Sequence, residues 1–284
     1  SPPSIAVGGT QAVTDALVSA GKKLGAEYFT NAAVDKIIVK NGTAKGIILS
    51  NGDKIEARKF VVADAGFPEV MFNLLDGEYV TDKTRRRMDA TLYDRAQMLW
   101  GVVATHEYPK YKAAESNPDA NRIYRLYWGP KDLGYIEDKY WHERCLMGIS
   151  SERYILCVND SFWDASRAPE GKHNMYIEEL ACPLRSFSRK EWRRILDEFE
   201  EDLFKQWQKY ASNMTEGNIM ATRLNTPADL FDYNPDNIEG SIQRQAQIVS
   251  QNEIFRGLPE VAGFRSPVKN LYSVSYTHLT LPTN

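Results

Sequence analysis

Between residues 8 and 62 the spacing of apolar positions changes from helical to strand-like. Gly8-Gly9 precedes a run in which Ala12, Val13, Ala16, Leu17, Ala20 and Leu24 recur at helical intervals, which predicts an amphipathic helix over 12–24. Gly25 follows as its C-terminal cap, because glycine tolerates the left-handed conformation that a helix end needs. After Glu27 to Thr30, residues 33–39 are rich in β-branched side chains and read as a strand. Asn41-Gly42 is the strongest short hairpin signal, with a return strand over 44–49. Asn51-Gly52 makes a second turn before 54–57. Phe60-Val61-Val62 then reads as a short apolar strand ending at Ala63-Asp64-Ala65-Gly66.

From about 67 to 90 the pattern predicts two helices. Phe67-Pro68 opens the first, with proline at an early helical position, and Asp82 is placed to cap the second. Residues 96–105 read as a buried strand. Residues 106–145 are polar, irregular and crowded with Tyr108, Tyr111, Tyr124, Tyr127, Trp128, Tyr135, Tyr140 and Trp141, and read as a long insertion or lid. Strands are expected over 153–159 and 174–180. Ser188 should cap a long helix, with Glu191 at the capping-box position and Trp192, Ile195, Leu196, Phe199, Leu203, Phe204 and Trp207 at helical spacing. A moderately polar segment covers 218–250. Lys269 to Tyr272 leads into a short strand at Ser273-Val274. The chain so divides into an α/β portion (1–75 with the C-terminal strand) and a mixed α+β portion (76–260).

Composition narrows the chemistry. The net charge is −3, and the densest basic run, Arg85-Arg86-Arg87, is interleaved with acidic residues, so it reads as a solvated helix face and nucleic acid is not an expected partner. Cys145, Cys157 and Cys182 have no C-x-x-C spacing, which argues against a disulfide framework or a zinc site and favours small buried hydrophobes in a reducing compartment. His106, His142, His173 and His278 lack metal-ligand spacing, so no metal is expected and each is read as structural or superficial. No G-x-S-x-G occurs, so no serine nucleophile can be argued. No apolar run reaches 18 residues, and no signal-peptide pattern is read at the start. The opening Ser-Pro-Pro lacks an initiator methionine, which leads us to expect an upstream start.

With these patterns in place, a resemblance emerges. Gly8-Gly9 through Ala16-Leu17 resembles the G-G-x-x-x-x-x-x-A-L segment of bacterial-type phytoene desaturases and carotenoid isomerase-like proteins. Leu24 to Glu27, Val34 to Ile37, Ala44 to Ile47 and Asn51-Gly52 continue it in register. Val61 to Ala65 looks like the family's V-V-x-N-A segment, with Asp64 in place of Asn. Asp164 to Gly171 resembles its D-x-x-x-A-P-x-G segment, and Thr226 to Asp229 its T-P-x-D segment. Phe255-Arg256 through Tyr272 is similar to the approach to its last flavin-contacting strand. Two departures stand out. The family's G-x-G-x-x-G, whose amides hold the FAD pyrophosphate, is absent, and the tail 275–284 contains no glycine and looks foreign to the family.

The resemblance implies a partial FAD-binding, Rossmann-like domain of the glutathione-reductase type over 1–75. It implies a substrate domain over 76–260, a return strand over 261–274 and an atypical tail over 275–284. Val34 would meet the adenine of FAD with its main chain, against the alternative of an ordinary strand valine. Ala63, Asp64 and Ala65 would form a small-residue turn that lets the backbone approach the cofactor, against the alternative of a simple strand-to-helix turn. Gly8 and Gly9 would lie near the flavin or substrate, against the alternative of a helix-start turn. The aromatic residues of 108–141 either line an apolar channel or anchor an insertion. The implied function is FAD-dependent oxidation of an apolar, polyene-like substrate by desaturation or isomerisation, with no dedicated catalytic side chain. An amine-oxidase-like enzyme and a non-catalytic binding protein remain alternatives. The chain on its own is expected to lack flavin, and its location is read as cytoplasmic or peripheral to a membrane.

Overall fold

The computed structural model describes residues 5–93, 97–129, 132–140, 153–242, 245–246, 248, 251 and 264–274. Trp141, His142, Cys145, Phe255-Arg256, His278 and the tail 275–284 lie outside the described residues. The chain forms two compact units, Ser1–Glu27 with Gln97–Tyr233, and Tyr28–Ala96 with Asn234–Asn284. Each is taken by itself.

The helix α1 (Thr10–Lys23) starts two residues earlier than its periodicity suggests. Gly25, at φ 85°, ends it in the left-handed conformation. It groups with the unit containing 97–233, whereas its sequence continuity suggests the 28–75 portion. The contact responsible is local to that unit and is described below.

In the second unit, β1 (Val34–Lys40) and β2 (Thr43–Leu49) form an antiparallel hairpin. Both turn residues have positive φ, 50° at Asn41 and 68° at Gly42, which matches the twist of the flanking strands. A third strand, β3 (Lys54–Glu56), adds to β2. β4 (Val61–Ala63) follows, then a short helical segment (Glu69–Asn73) and α2 (Asp82–Asp89). Thr81, and not Asp82, caps α2: the Thr84 amide donates to the Thr81 hydroxyl at 3.1 Å. Asp82 instead occupies the first turn, where its charge still suits the helix dipole.

The first unit is built on a five-stranded sheet of order β6-β7-β8-β5-β9. It comprises β5 (Gln97–Thr105), β6 (Arg125–Trp128), β7 (Ile155–Val158), β8 (His173–Ala181) and β9 (Ile219–Asn225), all antiparallel to their neighbours. Helices α3 (Leu133–Tyr140), α4 (Asp160–Trp163), α5 (Arg189–Tyr210) and α6 (Pro227–Tyr233) complete it. Residues 106–145 are therefore not wholly irregular. β6 has only four residues, and it gains its strand conformation by pairing with β7. Likewise β9 and α6 occupy the polar stretch after 218.

One face of this sheet is packed. Leu99, Val103, Ile155, Cys157, Met175 and Ile177 join Trp192, Ile195, Leu196, Phe199, Leu203 and Trp207 of α5 in a single buried cluster. α5 begins with a complete capping box between Ser188 and Glu191. Within this layer Arg153 is buried between Glu179 at 3.4 Å and Asp202 at 3.2 Å, over the ring of Phe199. The register places two rows on the opposite face. One reads Arg125, Val158, Tyr176, Val102, Arg223, and the other Tyr127, Leu156, Glu178, Trp100, Asn225. Successive strand residues point to opposite faces, so these rows belong to the side away from α5.

The chain then returns to the second unit. β10 (Leu271–Ser273) pairs in parallel with β4, Leu271 opposite Val61 and Ser273 opposite Ala63. Leu271 and Val268 enter a core with Ile37, Ala44, Phe67, Val70, Met71, Leu75 and Met88. Parallel strands cannot be joined by a tight turn, and here the first unit's sheet lies between them in sequence. Among the described residues, no helix is long and apolar enough to cross a membrane, and no cluster of metal-ligating side chains occurs.

Candidate functional site

In the second unit, Val34 opens β1 and is 37% exposed. Ala63 ends β4, and its carbonyl accepts the Val274 amide at 3.1 Å. The Asp64 side chain is exposed, Ala65 is half-buried, and the Gly66 amide donates to an Asp236 carboxylate oxygen at 2.7 Å. Ile37 of β1 shares one core with β4, since Val61, Ala63 and Ala65 pack against it. Among the described residues, β4 has a strand partner on one edge only.

Gly8 and Gly9 lie in the other unit, against the Asp164 to Gly171 segment. The Gly8 amide donates to one oxygen of Asp164 at 2.7 Å. The second oxygen accepts the Ser166 amide at 3.1 Å and the Ser166 hydroxyl at 2.6 Å. Asp164 is buried. The Ser166 hydroxyl, then the Gly8 amide, hold its carboxyl below the usual carboxylate range, because hydrogen bonds to the charged form favour it. Gly9, at φ 79°, is pressed against Arg167: a Cβ there would lie 1.6 Å from a guanidinium nitrogen. The positive φ favours glycine here, and a larger residue would also push the Arg167 guanidinium aside. Two motifs read separately in the sequence, 156 residues apart, therefore meet in one bonded turn.

That turn borders a cavity of about 310 Å³ lined by Ile5, Ala6, Gly9, Thr10, Tyr124, Asp160, Asp164 and Arg167. A second cavity, of about 710 Å³, shares Ile5, Tyr124 and Asp160, and adds Arg125, Val158, Trp163 and Tyr176. Its volume is in the range of small-molecule sites. Val158 and Tyr176 come from the row on the open face of the sheet. Asp160 is bound on both oxygens, by Arg167 at 3.2 Å and by the Tyr124 hydroxyl at 3.3 Å. The Tyr176 hydroxyl donates to Glu178 at 3.0 Å. Burial first, then the Glu178 charge, keep it protonated well beyond the ordinary tyrosine range. The cavity thus offers apolar and aromatic walls with a few oriented polar groups.

The remaining aromatic residues divide between two roles. Tyr111 is buried, accepts from the Trp207 indole N–H at 3.3 Å, and anchors its segment to the α5 core. Tyr108 stacks on His173 at 3.8 Å and bonds to Ser161 at 2.9 Å. Tyr127 stacks on Tyr154 at 5.3 Å. Tyr124 alone of this set lines the cavities beside Gly9. His106 contacts Lys172 at 2.8 Å, and burial pulls the His173 imidazole below its ordinary value. Cys157 and Cys182 are buried, and burial pushes the Cys157 thiol up, away from a reactive thiolate. Arg125, Asp160, Trp163 and Tyr176 were not singled out by the sequence. The alternation of 173–181 would have put Tyr176 and Glu178 on one face, but only the strand register shows that Arg125 shares it.

No protein-family profile matches the chain. It is 25% identical over 278 residues to pyridine nucleotide-disulfide oxidoreductase domain-containing protein 2 of Rattus norvegicus, covering 93% of this chain and 46% of that protein. The Mus musculus protein of the same name matches equally. The chain is 24% identical over 199 residues to the neurosporene-forming phytoene desaturase of Cereibacter sphaeroides, covering 70% of this chain and 36% of the desaturase. Its fold is similar to that of an oxidoreductase from Methanosarcina mazei, with a TM-score of 0.54 at 16% identity, covering 94% of this chain and 49% of that one. The chain spans less than half the length of each of these proteins. It is oxidoreductase-like in sequence, and it shares a mixed α/β fold with an oxidoreductase.

Proposed function

We propose that the chain is part of an FAD-dependent oxidoreductase of the desaturase or isomerase type, acting on an apolar substrate of the polyene kind. The observation that carries this reading is the sequence likeness to an oxidoreductase that runs through 93% of the chain, supported by the weaker likeness to a phytoene desaturase. In this reading, the unit holding β1 to β4 and β10 is the outer part of a flavin-binding domain, and the unit built on β5 to β9 is the substrate half. Val34 contributes main-chain contacts to the adenine. Ala63, Asp64 and Ala65 form the turn that lets backbone approach the cofactor, because larger side chains would keep it away. Gly8 and Gly9 hold the chain entering α1 against Asp164 and Arg167, beside the cavity.

The sequence has no G-x-G-x-x-G, so no residue of this chain is assigned to the pyrophosphate. A bound flavin would supply a hydride acceptor for an allylic or otherwise activated C–H bond. The protein's part is to orient the substrate and exclude water, for which Ile5, Val158, Trp163 and Tyr176 provide apolar surface. No side chain is assigned as a base. The reading is tested on the complete reading frame containing this chain, purified with FAD and kept anaerobic. Adding an acyclic polyene should give a product altered in its double bonds, with bleaching of the oxidised-flavin absorbance if the change is a desaturation, which passes a hydride to the flavin, and without net bleaching if it is an isomerisation. A flavin-loaded protein that neither bleaches with any apolar polyene nor alters its double bonds would contradict the desaturase or isomerase assignment.

A further inference from the structure

We infer that the cavity of about 710 Å³ beside Tyr124 and Asp160 takes a ligand with a long apolar body and a single carboxylate end, and that Arg125 grips the carboxylate. This rests on the cavity being the substrate site proposed above. The walls from Ile5, Val158, Trp163 and Tyr176 suit a hydrocarbon chain. The charges do not suit one alone. Four ionic residues border the two neighbouring cavities: Arg125, Asp160, Asp164 and Arg167. Asp164 is taken up by the Gly8 amide and by the Ser166 amide and hydroxyl. Asp160 and Arg167 satisfy each other, and the Tyr124 hydroxyl takes the remaining Asp160 oxygen. Glu178, one row further along the sheet, accepts the Tyr176 hydroxyl and is not among the described lining residues. Tyr176 remains neutral and offers no counter-charge.

Arg125 is left. It stands on β6 at the edge of the sheet, directly opposite Val158, and has no acidic partner among the described residues. A cavity whose other charged groups already hold bonded partners, and whose one remaining guanidinium has no acidic partner among the described residues, discriminates among head groups of ligands with the same tail. A carboxylate gains a charge-assisted, two-point hydrogen bond from the planar fork. An alcohol offers one uncharged acceptor and gains no ion–ion attraction, and an ammonium is repelled.

The test uses the 284-residue chain without added flavin. Fluorescent cis-parinaric acid reports occupancy, and oleate, oleyl alcohol and oleylamine compete for it below their aggregation limits. Oleate should displace the probe at about tenfold lower concentration than oleyl alcohol, with oleylamine weakest, as expected when a charge-paired, two-point hydrogen bond replaces a single bond to a neutral oxygen. Arg125→Gln should abolish the preference for oleate while leaving oleyl alcohol unchanged, and Arg125→Lys should retain part of it. Should Arg125→Gln fail to fold by circular dichroism, the ranking in the unaltered chain still decides. Equal displacement by oleate and the alcohol, a preference for the amine, an unchanged ranking in Arg125→Gln, or no binding of any probe would overturn the inference. Flavin bleaching by the full-length protein is a separate readout, so loss of the carboxylate preference leaves the flavin reading standing.

Discussion

All six tryptophans of the chain lie between residues 97 and 233, and none lies in the unit that holds β1 to β4 and β10. The contrast extends to the strands. β5 and β8 are nine residues long and paired throughout, and the two largest fully buried side chains, Trp192 and Trp207, lie beneath their sheet. β3, β4 and β10 have three residues each, and their core is aliphatic apart from Phe67. One unit is organised around large aromatic side chains; the other has a smaller, mainly aliphatic core. Bulk gives a rigid wall on which a cavity can be built. Small residues such as Ala63 and Ala65 pack only partly against that core; in the function proposed above they form the surface that a cofactor's edge approaches.

The sharpest way to break this comparison is to remove bulk from each unit in turn. Phe199→Ala should cost about 3–5 kcal/mol, the usual loss for a fully buried aromatic truncation, read as a drop in the urea midpoint followed by tryptophan emission. Met71→Ala, equally buried, should cost about 2–4 kcal/mol in the second unit. That loss should be visible by circular dichroism, with little shift in the native tryptophan spectrum, since every tryptophan is in the other unit. A large native-state emission change in Met71→Ala would contradict the division. Ser188→Ala removes one half of the capping box and should cost about 1 kcal/mol, with Glu191→Ala similar and the double variant less than additive.

The smallest effect is pH-dependent. Asp164 has a lowered folded-state value, so its contribution to stability is present above its unfolded value, about pH 3.9, and is lost as pH falls through the lower folded value. Asp164→Asn should be less stable than the parent at pH 7, and the two should converge on acidification. Parallel stability curves for the two proteins across that window would show that the Gly8 and Ser166 bonds to Asp164 carry no charge-dependent part.

Much of this contrast was legible in the sequence. α5 announces itself by a capping box and an unbroken apolar stripe, and the Asn41-Gly42 turn fixes its hairpin because both residues accept positive φ. These are local signals. β6 carries no local signal, since Arg125 to Trp128 alternate weakly and become a strand only against β7. β9 and α6 were hidden for the same reason, in a polar stretch whose pairing partner lies more than a hundred residues away. The site follows this rule. Glycines 8 and 9 and the Asp164 segment could each be noticed, but that they bind each other is a tertiary fact. Arg125 is one of many arginines until the register sets it beside Val158 and Tyr176.

The central claim, that Val61 to Ala65 and β1 form the outer part of a flavin site, is tested most directly by flavin content. The complete reading frame is expressed and purified as the unaltered protein and as Ala65→Leu, and FAD released from each by heat is quantified against protein. We predict near-stoichiometric FAD in the unaltered protein and a marked loss in Ala65→Leu, with tryptophan emission and circular dichroism unchanged. A colourless unaltered protein that takes up no added FAD, or equal FAD in both, would contradict the account.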